Sequence, residues 1–96
     1  MTGAELIVQE RQHQIDKGNT LELDKLNNDE NQFVDAISVL VTDPPEELKE
    51  YWLESNEQPP VGWDYSIWNS LLRRDYSERI IIVGALAAAE YDRKFN

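Results

Sequence analysis

Ile80-Ile81-Ile82-Val83-Gly84-Ala85-Leu86-Ala87-Ala88-Ala89 decides the fold, as the only ten-residue run in the chain without a charged or polar side chain. Taken alone, Ile80 to Val83 would suit a buried strand as well as a helix. The second half of the run decides for the helix, because Ala85, Leu86, Ala87, Ala88 and Ala89 are strong helix formers and poor strand formers. Upstream, Asp75 and Glu78 have capping-box spacing, so the helix is expected over about 76–94. The run is too short to cross a bilayer, which takes about 20 residues, and Arg79 and Glu90 bound it. A helix apolar nearly all round must be contacted on most sides, which places it at the centre of a helical core. Glycine costs about 1 kcal/mol relative to alanine in a helix interior, so Gly84 is expected where another backbone comes close.

Ninety-six residues make a single domain, 1–96, able to bury roughly two thirds of the surface its unfolded chain exposes. The absence of cysteine excludes disulfides, thiolate metal sites and cysteine nucleophiles. Met1-Thr2-Gly3-Ala4-Glu5 carries neither the basic region nor the apolar stretch of a signal peptide, and the expected location is the cytoplasm. Nineteen acidic and nine basic residues give a formal net charge of −10, which repels a phosphate backbone and argues against direct nucleic-acid binding. Such a charge also suits an acidic face offered to a basic partner, including a face that imitates DNA. The acids are scattered along the chain, however, as on an ordinary solvated surface.

Thr2 and Glu5 form a second capping-box pattern, and Gly18 is a natural stop, so a first helix is expected over about 3–17. Its apolar positions are Ala4, Ile7, Val8 and Ile15, with Arg11 on the same stripe and therefore facing or bordering the core. A guanidinium there requires an acidic or carbonyl partner. Residues 19–28 read as a loop anchored by Leu21, Leu23 and Leu26. Asn28 or Asp29 is expected to cap a second helix, about 30–42, with the stripe Phe33, Ala36, Ile37, Leu40 and Val41. Asp43-Pro44-Pro45-Glu46-Glu47 stops that helix and starts a third, about 45–54, capped by Asp43 and burying Leu48, Tyr51 and Trp52. Residues 55–62, with Pro59-Pro60 and Gly62, read as an ordered surface loop. Asn69-Ser70-Leu71-Leu72 is read as a short helix. The aromatics before it, Trp63, Tyr65 and Trp68, either offer a stacking surface for a ligand or seal one end of the core.

The chain holds no phosphate-binding glycine loop, no nucleophile elbow and no paired-histidine metal motif. Its one histidine, His13, falls away from the apolar stripe of the first helix and reads as a solvated residue. A polar constellation crosses segments instead: Glu10, Arg11 and Gln14 on the first helix, Glu22 and Asp24 in the next loop, Glu90 and Asp92 on the last helix. These groups converge if the first helix packs antiparallel or obliquely on the last. Two readings are then open. Arg11 pairs with Glu90 or Asp24 and locks the two helices together, or Glu10, Asp24 and Glu90 hold magnesium or manganese with Arg11 on a nucleotide phosphate.

Four pieces of the chain occur in order in a known pattern: Glu10-Arg11-Gln12-x-Gln14-Ile15, Gly18-x-Thr20-x-Glu22-x-Asp24, Trp63-Asp64-Tyr65-Ser66-x-Trp68 and Gly84-Ala85-Leu86-x-Ala88-Ala89-Glu90-x-Asp92-Arg93. Together they resemble an uncharacterised family of small phage and prophage proteins with Glu-Arg-x-Arg-Gln-Ile, Glu-His-Asp-Asp and Gly-Ala-Leu-Ile-Ala-Ala-Glu motifs. The resemblance implies a phage or bacterial origin. Against that pattern Leu23 replaces a histidine, Lys25 an aspartate, Asn27 a histidine and Asn31 a glutamate. Of any metal site in such relatives, only Glu10, Glu22, Asp24 and Glu90 remain.

The expected fold is therefore all-α, a compact bundle of four to five helices around the apolar C-terminal helix. The expected function is that of a small acidic accessory protein that binds another protein without catalysis and without a cofactor. The alternative is a metal-dependent nucleotide-binding or nucleoside triphosphate pyrophosphohydrolase-like protein using magnesium or manganese. Neither reading involves a membrane, and both leave the oligomeric state open.

Overall fold

The last helix organises the structure, a computed structural model that describes residues 1–17 and 30–96. In chain order the described elements are α1 (Gly3–Asp16), α2 (Gln32–Leu40), a 3₁₀ turn (Glu46–Leu48), α3 (Lys49–Ser55), α4 (Tyr65–Leu72) and α5 (Tyr76–Phe95). The fold is all-α, as its apolar pattern dictates. The two largest interhelical interfaces join α1 to α5 and α2 to α5. No described helix is long and apolar enough to cross a membrane.

The core is built from the inward faces of four helices. Phe33, Ala36 and Leu40 of α2 meet Ile82, Leu86 and Ala89 of α5, and Leu53, Trp68 and Leu72 come from α3 and α4. On α5 the buried positions Arg79, Ile82, Ala85, Leu86 and Ala89 keep helical spacing, while Ala87 is exposed. Of residues 79–90 only Ala87 is exposed, so the helix is contacted on most sides, with α1 over Gly84 and α2 against Ile82, Leu86 and Ala89.

Local chemistry accounts for most boundaries. At the start of α1 the Glu5 amide donates to Thr2 Oγ1 at 3.2 Å and the Thr2 amide donates to Glu5 Oε1 at 3.0 Å, completing the capping box. The capping box expected at α5 does not form. Asp75 makes no side-chain cap, and Glu78 instead accepts from Arg74 Nη1 at 3.2 Å, because that arginine lies one turn earlier on the same face. The helix α2 starts after Asn31, which adopts the left-handed conformation (φ 64°) without a side-chain cap. The caps expected at Asn28 and Asp29 lie outside the described residues.

Around α3 the structure departs further from expectation. The N-cap position of the 3₁₀ turn is Pro45 rather than Asp43, whose carboxylate lies 3.9 Å from Arg79 Nη2. Passing from three residues per turn to 3.6 at Lys49 rotates the later side chains, so the buried face is not the one a continuous helix predicts. Leu53 is buried and Trp52 half-buried, whereas Leu48 and Tyr51 are 51% and 72% exposed. After the loop, Gly62 takes a φ of +82° and the Trp63 amide donates to Pro60 O at 3.0 Å. That turn delivers Asp64 as the N-cap of α4, its carboxylate accepting from the Ile67 amide at 2.8 Å. The helix therefore begins at Tyr65, four residues earlier than the run from Asn69 suggests.

The rotation of α1 also differs from its apolar stripe. Val8 is 68% exposed, Ala4 and Ile15 face outward, and the residues turned toward α5 are Ile7, Glu10, Arg11 and Gln14. Gly84 explains this choice. A Cβ there would stand 2.7 Å from Ile7 Cγ1 and closer still to Ile7 Cδ1, so the missing side chain makes the socket for Ile7. The close approach at Gly84 is thus by a side chain, not by backbone. Ile7 meets Gly84 while Arg11 meets Asp92, so the two contacts advance in the same sense along both helices, as in an oblique rather than an antiparallel packing.

Candidate functional site

Seating Ile7 over Gly84 sets the rest of the α1/α5 seam, because the next inward positions of α1 are polar. Arg11, at 12% side-chain exposure, places Nη2 3.7 Å from Asp92 Oδ2. Gln14 Nε2 lies 3.5 Å from Glu10 Oε1 one turn away. Across the seam, Glu90 and Arg93 form a two-pronged pair: Arg93 Nη2 donates to Oε1 at 2.7 Å and Nε donates to Oε2 at 3.1 Å. Both side chains are largely buried, so this fork is shielded from solvent screening and is stronger than a surface ion pair.

The structure therefore brings Arg11 to Asp92 in a half-buried strip between α1 and α5, with Glu10 held by Gln14 on α1 and Glu90 by Arg93 on α5. Glu22 and Asp24 lie outside the described residues. Arg11 meets Asp92, where the sequence offers Glu90 or Asp24: Glu90 is held by Arg93 from one turn further along its own helix, and Asp24 lies outside the described residues. Both oxygens of Glu90 already accept hydrogen bonds from Arg93, so a magnesium or manganese ion would have to displace a guanidinium. Among the described residues no group of three or more His, Asp or Glu side chains could hold a metal ion. As it stands, the strip joins two helices by charge.

The aromatic segment does not form an open stacking surface. Trp68 is 1% exposed and donates its indole N–H to Asn56 O at 2.8 Å. Trp63 stands edge-on between Phe33 and Trp68, at centroid distances of 6.2 and 6.0 Å. These two tryptophans seal one end of the core, and only Tyr65 stays open, its hydroxyl 3.3 Å from Glu57 Oε2. Tyr65, Ser66, Asn69, Ser70 and Arg73 line a shallow, open depression on α4. Asn69 donates to Glu57 O and Tyr65 O at 2.9 and 3.0 Å, which ties α4 back to the end of α3. His13 is solvent-exposed.

Sequence reasoning missed a buried and heavily committed charge, Arg79. Arg79, only 4% exposed, donates Nη1 to Leu40 O and Thr42 O and Nε to Arg74 O, and its guanidinium lies over the rings of Trp52 and Tyr76 at 4.9 and 5.2 Å. It satisfies carbonyls at the C-terminal end of α2, which have no intrahelical partners of their own. The signal was an arginine one position before an apolar run, with aromatics available at Tyr76 and Trp52. At the other pole of the chain, hydrogen bonds from the Thr2 backbone and then from its hydroxyl hold the Glu5 carboxyl below the ordinary glutamate range.

No protein-family model matches the chain, and no curated protein or solved structure matches it either.

Proposed function

We propose that this chain is a small acidic accessory protein of phage or prophage type that acts by binding another protein and has no catalytic centre. One observation carries the reading: two half-buried carboxylates of α5 are taken up by the protein's own arginines, Glu90 by Arg93 and Asp92 by Arg11. The Arg11–Asp92 pair ties α1 to α5, and carboxylates held in this way lack the open coordination a metal-assisted hydrolysis needs. The negative charge left over lies on the surface, where it attracts a basic partner at a distance and accelerates encounter.

The test has two arms. Tagged protein immobilised at low ionic strength is expected to retain a discrete partner from bacterial lysate, with retention falling as salt screens the charges. Loss of all retention at the lowest salt overturns the reading. In parallel, the thermal unfolding midpoint is measured with magnesium or manganese crossed with nucleoside triphosphates. A specific ligand at about 100 times its dissociation constant adds roughly 2.7 kcal/mol, a shift of many degrees for a domain this size, and the expected result is no shift. A metal-dependent nucleotide shift abolished by Glu90→Gln would establish the pyrophosphohydrolase-like reading instead.

A further inference from the structure

Seating Ile7 over Gly84 leaves the apolar stripe of α1 without a place in the core. Ala4, Val8 and Ile15 stand about a quarter turn forward of the seam positions Ile7, Arg11 and Gln14, at the roughly 100° per residue of an α-helix, and none of the three is buried. The helix α5 carries a matching remnant. Gly84, Ala88, Tyr91 and Phe95 fall at i, i+4, i+7 and i+11, so the stripe that receives Ile7 continues past it as two aromatic rings. Those rings touch, with centroids 5.1 Å apart, and are 60% and 66% exposed.

The two remnants lie on one flank of the seam. Because the Ile7–Gly84 and Arg11–Asp92 contacts advance in the same sense, turning forward on α1 and backward on α5 leads to the same side. Val8 and Ile15 are turned forward of their seam positions, and Tyr91 and Phe95 lie back from the line between Gly84 and Asp92. The result is a two-helix apolar face turned away from Ile82, Leu86 and Ala89 of the core. Its rim bears both signs of charge: Glu5 and Asp16 border it on α1, and Lys94 borders it on α5, without an ion pair among the described residues.

From this arrangement we infer that the face of Ala4, Val8, Ile15, Tyr91 and Phe95 is a two-fold interface, and that its occupant is a second copy of this chain, with α1 of each protomer lying over α5 of the other. Charge selects the occupant. A second copy also carries −10, so it is accepted only where charge is locally matched. Glu5, Glu10 and Asp16 stand against Arg11 and Lys17 on α1, and Glu90 and Asp92 against Arg93 and Lys94 at the end of α5, which leaves a single unmatched acid across the two segments. The face is also complementary to itself: two-fold symmetry sets the aliphatic side chains of one α1 on the aromatic pair of the other α5, and Asp16 of one protomer opposite Lys94 of the other. This inference goes beyond the protein-binding reading and is independent of it, since the acidic remainder of the surface stays open in the dimer.

The chain has no cysteine, so a single introduced one reports a contact without interference. Ile15→Cys protein mixed with a size-tagged Tyr91→Cys protein is expected to yield a disulfide-linked pair of unequal chains under mild oxidation, and Ile67→Cys in place of Ile15→Cys, at a site 63% exposed, is expected to yield none. Sedimentation velocity on the unaltered chain is expected to show a dimer that strengthens as salt rises, because screening relieves the repulsion between two acidic copies. Capture of a basic partner has the opposite salt dependence. Tyr91→Ser with Phe95→Ser should weaken dimerisation at least about tenfold with the helical circular dichroism unchanged, and Ile67→Ser should leave it unaltered. A monomer at every concentration and salt, a cross-link no stronger than the Ile67→Cys control, or a dimer indifferent to the Tyr91 and Phe95 changes overturns the inference, and none of these touches the lysate result that tests the protein-binding reading.

Discussion

Gly84→Ala tests the geometry that sets the α1/α5 seam. In an isolated helix the substitution stabilises by about 1 kcal/mol. Here the new Cβ would meet Ile7 Cγ1 at 2.7 Å, Ile7 Cγ2 at 3.3 Å and Ile7 Cδ1 nearer still, against a comfortable carbon–carbon separation of about 3.5–4.0 Å. Rotating Ile7 about χ1 does not relieve this, because a β-branched side chain exchanges one γ carbon for another and has a single favoured rotamer in a helix. The helix α1 must move outward by about 1 Å, which stretches the Arg11–Asp92 pair and costs about 1–3 kcal/mol as overpacking. The net expectation is a destabilisation of up to about 2 kcal/mol, or up to roughly 16 °C in the unfolding midpoint of a domain this size. The decisive arm is the same substitution in an Ile7→Ala background, where the clash is gone and the propensity gain of about 0.5–1 kcal/mol should reappear. Circular dichroism melts of the four proteins in this cycle measure the coupling. A Gly84→Ala protein more stable than the parent, or an equal effect in both backgrounds, would refute the socket.

The buried charges carry further expectations. Replacing Arg79 by methionine leaves the Leu40 and Thr42 carbonyls without their donor and removes the stack on Trp52, which should cost about 2–4 kcal/mol in denaturant melts. Asp43→Asn, removing only the exposed partner of Arg79, should change stability by less than about 0.5 kcal/mol. Glu90→Gln and Arg93→Gln should each destabilise by about 1–2 kcal/mol, and the double variant by clearly less than their sum, because the second change removes the group the first left without its charge partner. The Glu5 carboxyl has a lowered folded-state pKa, so its contribution is present above the unfolded value and lost as pH falls through the folded one. Glu5→Gln should flatten the acid limb of the stability profile, and the Glu5 resonance should titrate below the ordinary glutamate range.

How much of this was legible depends on which residues carry the information. The apolar run from Ile80 to Ala89 specified the central helix because nothing else in the chain can cover it, and Thr2 with Glu5 specified its own cap. Both are local signals. The rotation of α1 was not legible: Ala4, Val8 and Ile15 make a better stripe than Ile7 does, yet a socket made by a missing side chain on a distant helix outweighs three small contacts. The same holds for α3, where the Pro44-Pro45 start imposes a 3₁₀ turn whose phase cannot be read from apolar spacing alone. Of the polar candidates, Glu10, Arg11, Gln14 and Glu90 were identifiable as a group because charged side chains on the inner border of a helix need partners. Which acid meets which arginine was not, since Glu90–Arg93 and Arg11–Asp92 differ only by one turn of α5 and its packing against α1.

The same pairing changes the meaning of the chain's overall charge. A net charge of −10 says only that acids outnumber bases, and from the sequence they look evenly scattered. Folding sorts them. The arginines with the least exposure are drawn inward: Arg11 ties α1 to α5 through Asp92, Arg79 ties α2 to α5 through the Leu40 carbonyl, and Arg93 pairs with Glu90 on its own helix. What remains outside is depleted of cations, and α3, whose own basic residue is Lys49, projects carboxylates on its outer face. The acidic surface thus reflects the excess of acids in the sequence, which pairing one arginine with one acid inside leaves unchanged. Neutralising the clamps and neutralising the surface should therefore have opposite signatures: loss of stability with little change in charge-dependent binding for the first, and unaltered melting with lost binding for the second.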